Sequence, residues 1–153
     1  MSSMQDVDLS GNQIKGVFSL GVAGQANCIR SGRGLKVLNL SRNGISSIQT
    51  DPIHQFAVAE LNLSQNKLHR VDFLAQVKAS SVKVLKLESN PFTAEREASL
   101  AFVHFCGNLQ NLREVTVGLK DEAVFRYFLK QDAPNLKYVD EIKVSNLLAK
   151  INN

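Results

Sequence analysis

The chain has little with which to do covalent or metal chemistry. Among its 153 residues only Cys28 and Cys106 are cysteines. Two cysteines cannot staple a domain of this length, and no Cys-x-x-Cys pair or Cys/His cluster suggests zinc. Free thiols, partly buried in a reducing compartment, are the expectation. The histidines are His54, His69 and His104. They fall in separate stretches, none beside a Ser or Cys nucleophile, and His104 and Cys106 would point in different directions on a helix. No phosphate loop or dinucleotide fingerprint is present. No apolar run is long enough to span a bilayer. The opening Met-Ser-Ser-Met-Gln-Asp has neither the basic start nor the apolar core of a secretory leader. The sequence thus predicts a protein that is not an enzyme, takes no cofactor or metal, and works in the cytoplasm or nucleus. The glycosylation sequons Asn39-Leu40-Ser41 and Asn62-Leu63-Ser64 would then carry no sugar.

What is present is a repeat. LKVLNLSRNGISSI from Leu35, VAELNLSQNKLHRV from Val58 and VKVLKLESNPF from Val82 align without gaps. Each follows L-x-x-L-x-L-x-x-N-x-L, with Val or Phe as apolar substitutes, and so resembles the leucine-rich repeat. Asn43, Asn66 and Asn90 are spaced by 23 and 24 residues. The fourth and sixth positions alternate at the strand period of two, which a helix does not produce. A weaker copy upstream places Met4, Val7, Leu9, Asn12 and Ile14 in register, and its asparagine lies 31 residues before Asn43. The intervening residues 15–34 read as an oversized loop, with Gly16, Gly21, Gly24, Gly32 and Gly34. Downstream, Leu112, Val115 and Val117 supply a degenerate fifth copy in which Lys120 replaces the asparagine.

The pattern predicts an α/β fold: a right-handed leucine-rich-repeat solenoid of about five repeats in a single domain over 1–153. Repeats fall at about 4–34, 35–57, 58–81, 82–111 and 112–133, with a cap over about 121–153. Inward leucines of successive repeats stack into one core, and short parallel strands line the concave side. Each asparagine turns the chain out of its strand and satisfies backbone groups that the turn leaves unpaired. The connections should form helices or helical turns on the convex side. The clearest runs from Thr93 to Cys106, with Leu100, Val103 and Phe105 as its apolar positions. A second covers Asp121 to Lys130, its Asp121 and Glu122 suiting the start of a helix dipole. Val144, Leu147, Leu148 and Ile151 form a last apolar stripe, placed to lie against the open end. At the other end, either upstream sequence or some other element must cover Met4, Val7 and Leu9.

Phe125-Arg126 and Ala133-Pro134-Asn135-Leu136-Lys137-Tyr138-Val139-Asp140 resemble the ending of a group of small intracellular leucine-rich-repeat proteins with a C-terminal LRR cap. That group includes the leucine-rich regulatory subunit of protein phosphatase one, the spliceosomal A-prime protein and the acidic leucine-rich nuclear phosphoproteins. The axonemal dynein light chain belongs with them, and the leucine-rich domain of mRNA export receptors is similar. The resemblance covers nearly the whole chain and implies the scaffold rather than the partner.

Residues between the inward leucines should point out of the concave face. Three rows result: Asp6, Val37, Glu60, Val84, Glu114 and Tyr138; then Asp8, Asn39, Asn62, Lys86, Thr116 and Asp140; then Ser10, Ser41, Ser64, Glu88 and Gly118, with Arg42 and Gln65 beside the third. Asp6, Asp8, Glu60, Glu88, Glu114 and Asp140 face only Lys86 and Arg42, so this face is about −4 while the chain is +4. The positive excess belongs to positions such as Arg30, Arg33, Lys67, Arg70, Lys78 and Lys130. A nucleic-acid groove needs the opposite sign and aromatic platforms. The expected partner is therefore a protein, bound by Val37, Asn39, Arg42, Glu60, Asn62, Val84, Lys86, Glu88, Glu114, Thr116 and Tyr138. The alternative is an RNA-associated module, acting through an RNA-binding partner or the basic flanks.

Overall fold

A computed structural model describes residues 6–20, 28–29, 35–50, 56–130 and 135–151. Met4, Gly21, Gly24, Arg30, Gly32, Arg33, Gly34, His54, Ala133 and Pro134 lie outside these residues, as do the side chains of Cys28 and Ile151.

Short strands recur at the aligned positions: β1 (Asp6–Asp8), β4 (Leu35–Asn39), β6 (Val58–Asn62), β7 (Val84–Lys86), β8 (Glu114–Thr116) and β9 (Tyr138–Val139). They pair in parallel, in that order, within one sheet. The register puts Val7, Leu38, Leu61, Leu85, Val115 and Val139 side by side. All but Val7, which is partly buried, have essentially no exposed surface. Alternation at period two sends these side chains to one face and their neighbours to the other. Leu40, Leu63, Leu87 and Val117, two residues further on, continue the core.

The asparagines bind consecutive turns to each other. Asn66 Nδ2 donates to the carbonyls of Leu63 and Ser64 in its own turn and of Leu40 in the preceding one, while its Oδ1 accepts from Ile45 N. Asn90 repeats this with Leu87, Glu88, Leu63 and Leu68, and Asn43 with Leu40, Ser41, Leu9 and Ile14. A buried amide with both donors and its acceptor engaged is the arrangement that leaves the turn's backbone satisfied. The residue before each asparagine, Gly11, Arg42, Gln65 and Ser89, has positive φ. In the degenerate copy the left-handed residue is Gly118, one position earlier. Here Asp140 Oδ1 accepts from Val117 N and Gly118 N at 2.8 and 3.0 Å. A carboxylate from the next turn thus takes up two N–H groups of the degenerate turn, an acceptor role only, whereas the asparagine amides also donate to carbonyls.

The first two connections depart from the expectation of helices, helical turns or loop. Residues 15–20, read as loop, form β2 (Lys15–Leu20), which pairs in parallel with β5 (Gly44–Thr50) and with β3 (Cys28–Ile29) in a second, three-stranded sheet. The register shifts between Gly16 and Val17, whose partners are Ile45 and Ser47, leaving Ser46 as a bulge. That extra residue resets the alternation, so Ile45 is buried and Ile48 partly buried although they are three apart. The third connection holds a helical turn of the expected kind, the 3-10 segment Asp72–Gln76, which buries Phe73 and Leu74.

Later connections are helical, as expected. A 3-10 turn, Pro91–Ala94, leads into α1 (Arg96–Gly107), and α2 spans Glu122–Leu129. On α1 the buried side chains are Ser99, Phe102, Val103 and Cys106; Phe105 is partly buried and Leu100 is 42% exposed. The helix is rotated from the expected face, and Phe102 is its central anchor, tilted against Phe92 and edge-on to Phe128 with ring centroids 5.6 and 5.7 Å away. Asp121 caps α2, accepting from Ala123 N and Val124 N.

After β9 the chain reverses. Asp140 and Glu141 both have positive φ, 51° and 69°, the combination that a two-residue type I′ turn requires. They lead into β10 (Ile142–Lys143), antiparallel to β9. The helix α3 (Val144–Ile151) follows, with Val144, Leu147 and Leu148 packed on the core beside α2.

Candidate interaction face

The register places the outward residues as their spacing predicts. Asp6, Val37, Glu60, Val84, Glu114 and Tyr138 are successive partners across β1, β4, β6, β7, β8 and β9. Asp8, Asn39, Asn62, Lys86 and Thr116 form the second row. Val37, Val84, Thr116 and Tyr138 are half-buried, and Glu114 is exposed. Arg42 is exposed and Glu88 half-buried, both just past the ends of their strands. One sheet face therefore carries nine of the candidate residues in register, with Arg42 and Glu88 just beyond the strand ends.

The second and third rows are coupled. Asn39 Oδ1 accepts from Ser41 N and Oγ at 3.0 and 2.7 Å, and Asn62 Oδ1 accepts from Ser64 in the same way. Asp8 holds Ser10 likewise. The Ser10 hydroxyl first, then its backbone N–H, keeps the Asp8 carboxyl below the ordinary carboxylate value. Both sequon matches are thus Asn-Leu-Ser turns in which the asparagine oxygen closes the local backbone. These side chains fold back on their own turns and leave the face flat. Asn39 and Asn62 serve the turn first, and only their amide nitrogens remain to meet a ligand.

β7 breaks that pattern. Lys86-Leu87-Glu88 stands where β4 and β6 have Asn-Leu-Ser. Lys86 Nζ lies 3.9 Å from Glu60 Oε1, a loose pair with both side chains part-exposed. Oε2 of Glu88 is buried and meets no hydrogen-bond partner among the described residues.

Two features of the face escape a strand-by-strand reading. Asp140, counted among the outward acids, turns its Oδ1 to the backbone of the preceding copy. Lys143 pairs opposite Tyr138 in the terminal hairpin and so shares its face. It borders a groove of about 510 Å³ with Leu136, Lys137, Val144, Ser145 and Leu148. The two positive φ residues that create this hairpin are Asp and Glu, not the Asn-Gly that would have announced it. With Lys143 added the face stays acidic.

The reactive side chains among the described residues do not converge. His69 lies in another connection, its Nδ1 3.3 Å from Glu95 Oε1. His104 is exposed on α1, and Cys106 is buried, its thiol pushed far up by desolvation. Lys67, Arg70, Lys78 and Lys130 are exposed away from the strands. No helix among the described residues is long and apolar enough to cross a membrane.

A family model described as Leucine Rich Repeat matches residues 34–56, the stretch from before β4 through β5. The match supports a leucine-rich-repeat protein, and the largely parallel sheet with α-helices fits that fold. Such repeats commonly mediate protein–protein interaction and are typically non-catalytic. No curated protein and no solved structure matches the chain at a significant level.

Proposed function

We propose that this leucine-rich-repeat chain is a non-catalytic protein-interaction subunit of a cytoplasmic or nuclear complex, and that it binds its partner on the outward face of the parallel strands. The reading takes the chain as one domain of about five repeats in a right-handed solenoid, with that face concave. The terminal hairpin and α3 act as its cap, like the ending of the LRR-cap proteins. The observation that carries it is the first row: half-buried Val37, Val84 and Tyr138 alternate with Glu60 and Glu114 on adjacent, hydrogen-bonded strands. Apolar anchors within a polar surround, held at fixed spacing, are what a protein interface uses. The acidic balance and the single aromatic suit nucleic acid poorly.

The test is affinity purification of the full chain with and without nuclease, followed by variants. A stoichiometric protein that survives nuclease is the expected result. Val37→Arg with Val84→Arg should weaken its binding by about 2 kcal/mol or more. Both side chains face away from the core, so the fold should survive, as circular dichroism would verify. Lys78→Glu and Lys130→Glu should leave binding nearly unchanged. The reverse ranking, or a partner lost on nuclease treatment, would overturn this reading in favour of the basic flanks and RNA.

A further inference from the structure

We infer that the occupant of the strand face is a protein segment presenting lysine or arginine beside apolar side chains, and that Glu88, assisted by Glu114, selects it. This rests on the strand-face reading above and adds the chemistry of the partner.

The argument begins with the departure at β7. In β1, β4 and β6 the outward polar side chain is satisfied within its own turn, through Ser10, Ser41 or Ser64. β7 gives up that bond and carries two long charged side chains instead. Lys86 has a nearby acid in Glu60. Glu88 is half-buried, and one of its carboxylate oxygens is shielded from water with no donor among the described residues. Withdrawing a carboxylate oxygen from water without a donor is unfavourable, and a charge-assisted hydrogen bond from a cation relieves it most strongly.

The surroundings leave room for that cation. The β7–β8 pairing ends at Lys86 and Thr116, and past that last pair the next copy carries Gly118. It has no side chain, and a Cβ placed there would meet nothing within 4 Å. Glu114, at the start of β8, is exposed and without an ion-pair partner among the described residues. Val84 and Val37 supply the apolar half of the surface. An acidic face with apolar anchors and one desolvated, unanswered carboxylate is complementary to a basic, apolar segment.

The experiment is selection of a displayed random-peptide library against the full chain, followed by titration of the enriched peptides and mapping of their footprints by amide chemical shifts. The expected result is a consensus that combines Lys or Arg with aliphatic or aromatic residues and binds over β6–β8. Glu88→Gln with Glu114→Gln should weaken it about tenfold or more. Lys86→Asn with Glu88→Ser rebuilds the Asn-Leu-Ser turn of β4 and β6. It should raise the thermal midpoint while weakening the same peptides, which separates recognition from folding. An acidic or uncharged consensus on the strand face would overturn the basic partner and leave the protein-binding face standing. Enrichment that maps elsewhere, or none, would overturn both. Parent-like affinity in the rebuilt variant would remove Glu88 from recognition.

Discussion

Asn66 serves four backbone groups at once, three carbonyls and one N–H, from a side chain that is almost wholly buried. Its charge type is therefore fixed: the turn needs donors there. Asn66→Asp keeps the shape but sets a carboxylate against three carbonyl oxygens. The expected loss is roughly 3 kcal/mol or more at neutral pH. The folded state would favour the protonated acid, so the introduced group's folded pKa is raised above its unfolded value near 3.9. The variant's deficit relative to the parent should thus be small below about pH 4 and grow as pH rises past it. Denaturant titrations of both proteins across that range test this; a pH-independent deficit would contradict it. The structural role of Asn43, Asn66 and Asn90 was legible in the sequence, because their spacing tied them to the strand ends. That of Asp140 was not. It lies on an outward position of its own strand, and only the shift of the left-handed residue to Gly118 exposes the N–H groups it accepts from.

Among the elements, the helices were read well because apolar residues at helical spacing over two or more turns have few other solutions. α2 begins where its charges said it would. Its cap, Asp121, also accepts from Arg96 Nε at 2.8 Å, tying α2 to the first turn of α1. That bond first, and then the Val124 N–H, lowers the Asp121 carboxyl below its ordinary 3.8. A depressed folded pKa contributes stability that is present above the unfolded value and lost as pH falls through the folded one. Asp121→Ala should therefore lower the thermal midpoint at neutral pH, and the gap from the parent should narrow as pH falls below the ordinary carboxylate value. Asp121→Asn, which keeps the capping oxygen, should retain part of the difference. Scanning calorimetry in both pH ranges separates the outcomes. β2 and β5 were missed for a definable reason. Ile45 and Ile48 three apart look helical, and only the bulge at Ser46 lets a strand place both toward the core. Gly16 read as loop material, whereas it sits in β2 at the bulge with φ 74°.

At the scale of the molecule, the outward strand face was legible as rows because parallel register follows from three gapless alignments. What could not be read was how its ends are finished, since that depends on a hairpin formed by residues without a hairpin signature. The asparagine bonds reach further than local support. Each Nδ2 joins its own turn to the one before, and the preceding turn presents the same carbonyl geometry every time. Any unit with that asparagine can therefore follow any other, so the chain can lengthen from within. Tandem duplication of residues 58–81 should yield a protein that still unfolds in one transition, no less stable than the parent, with its added strand visible by circular dichroism. Growth beyond Asp140 is a different matter. Its carboxylate answers N–H groups on the turn behind it, and the hairpin then sends the chain back along β9. New copies belong upstream of that reversal, which makes the β9–β10 hairpin the fixed point from which the repeat array can evolve in length.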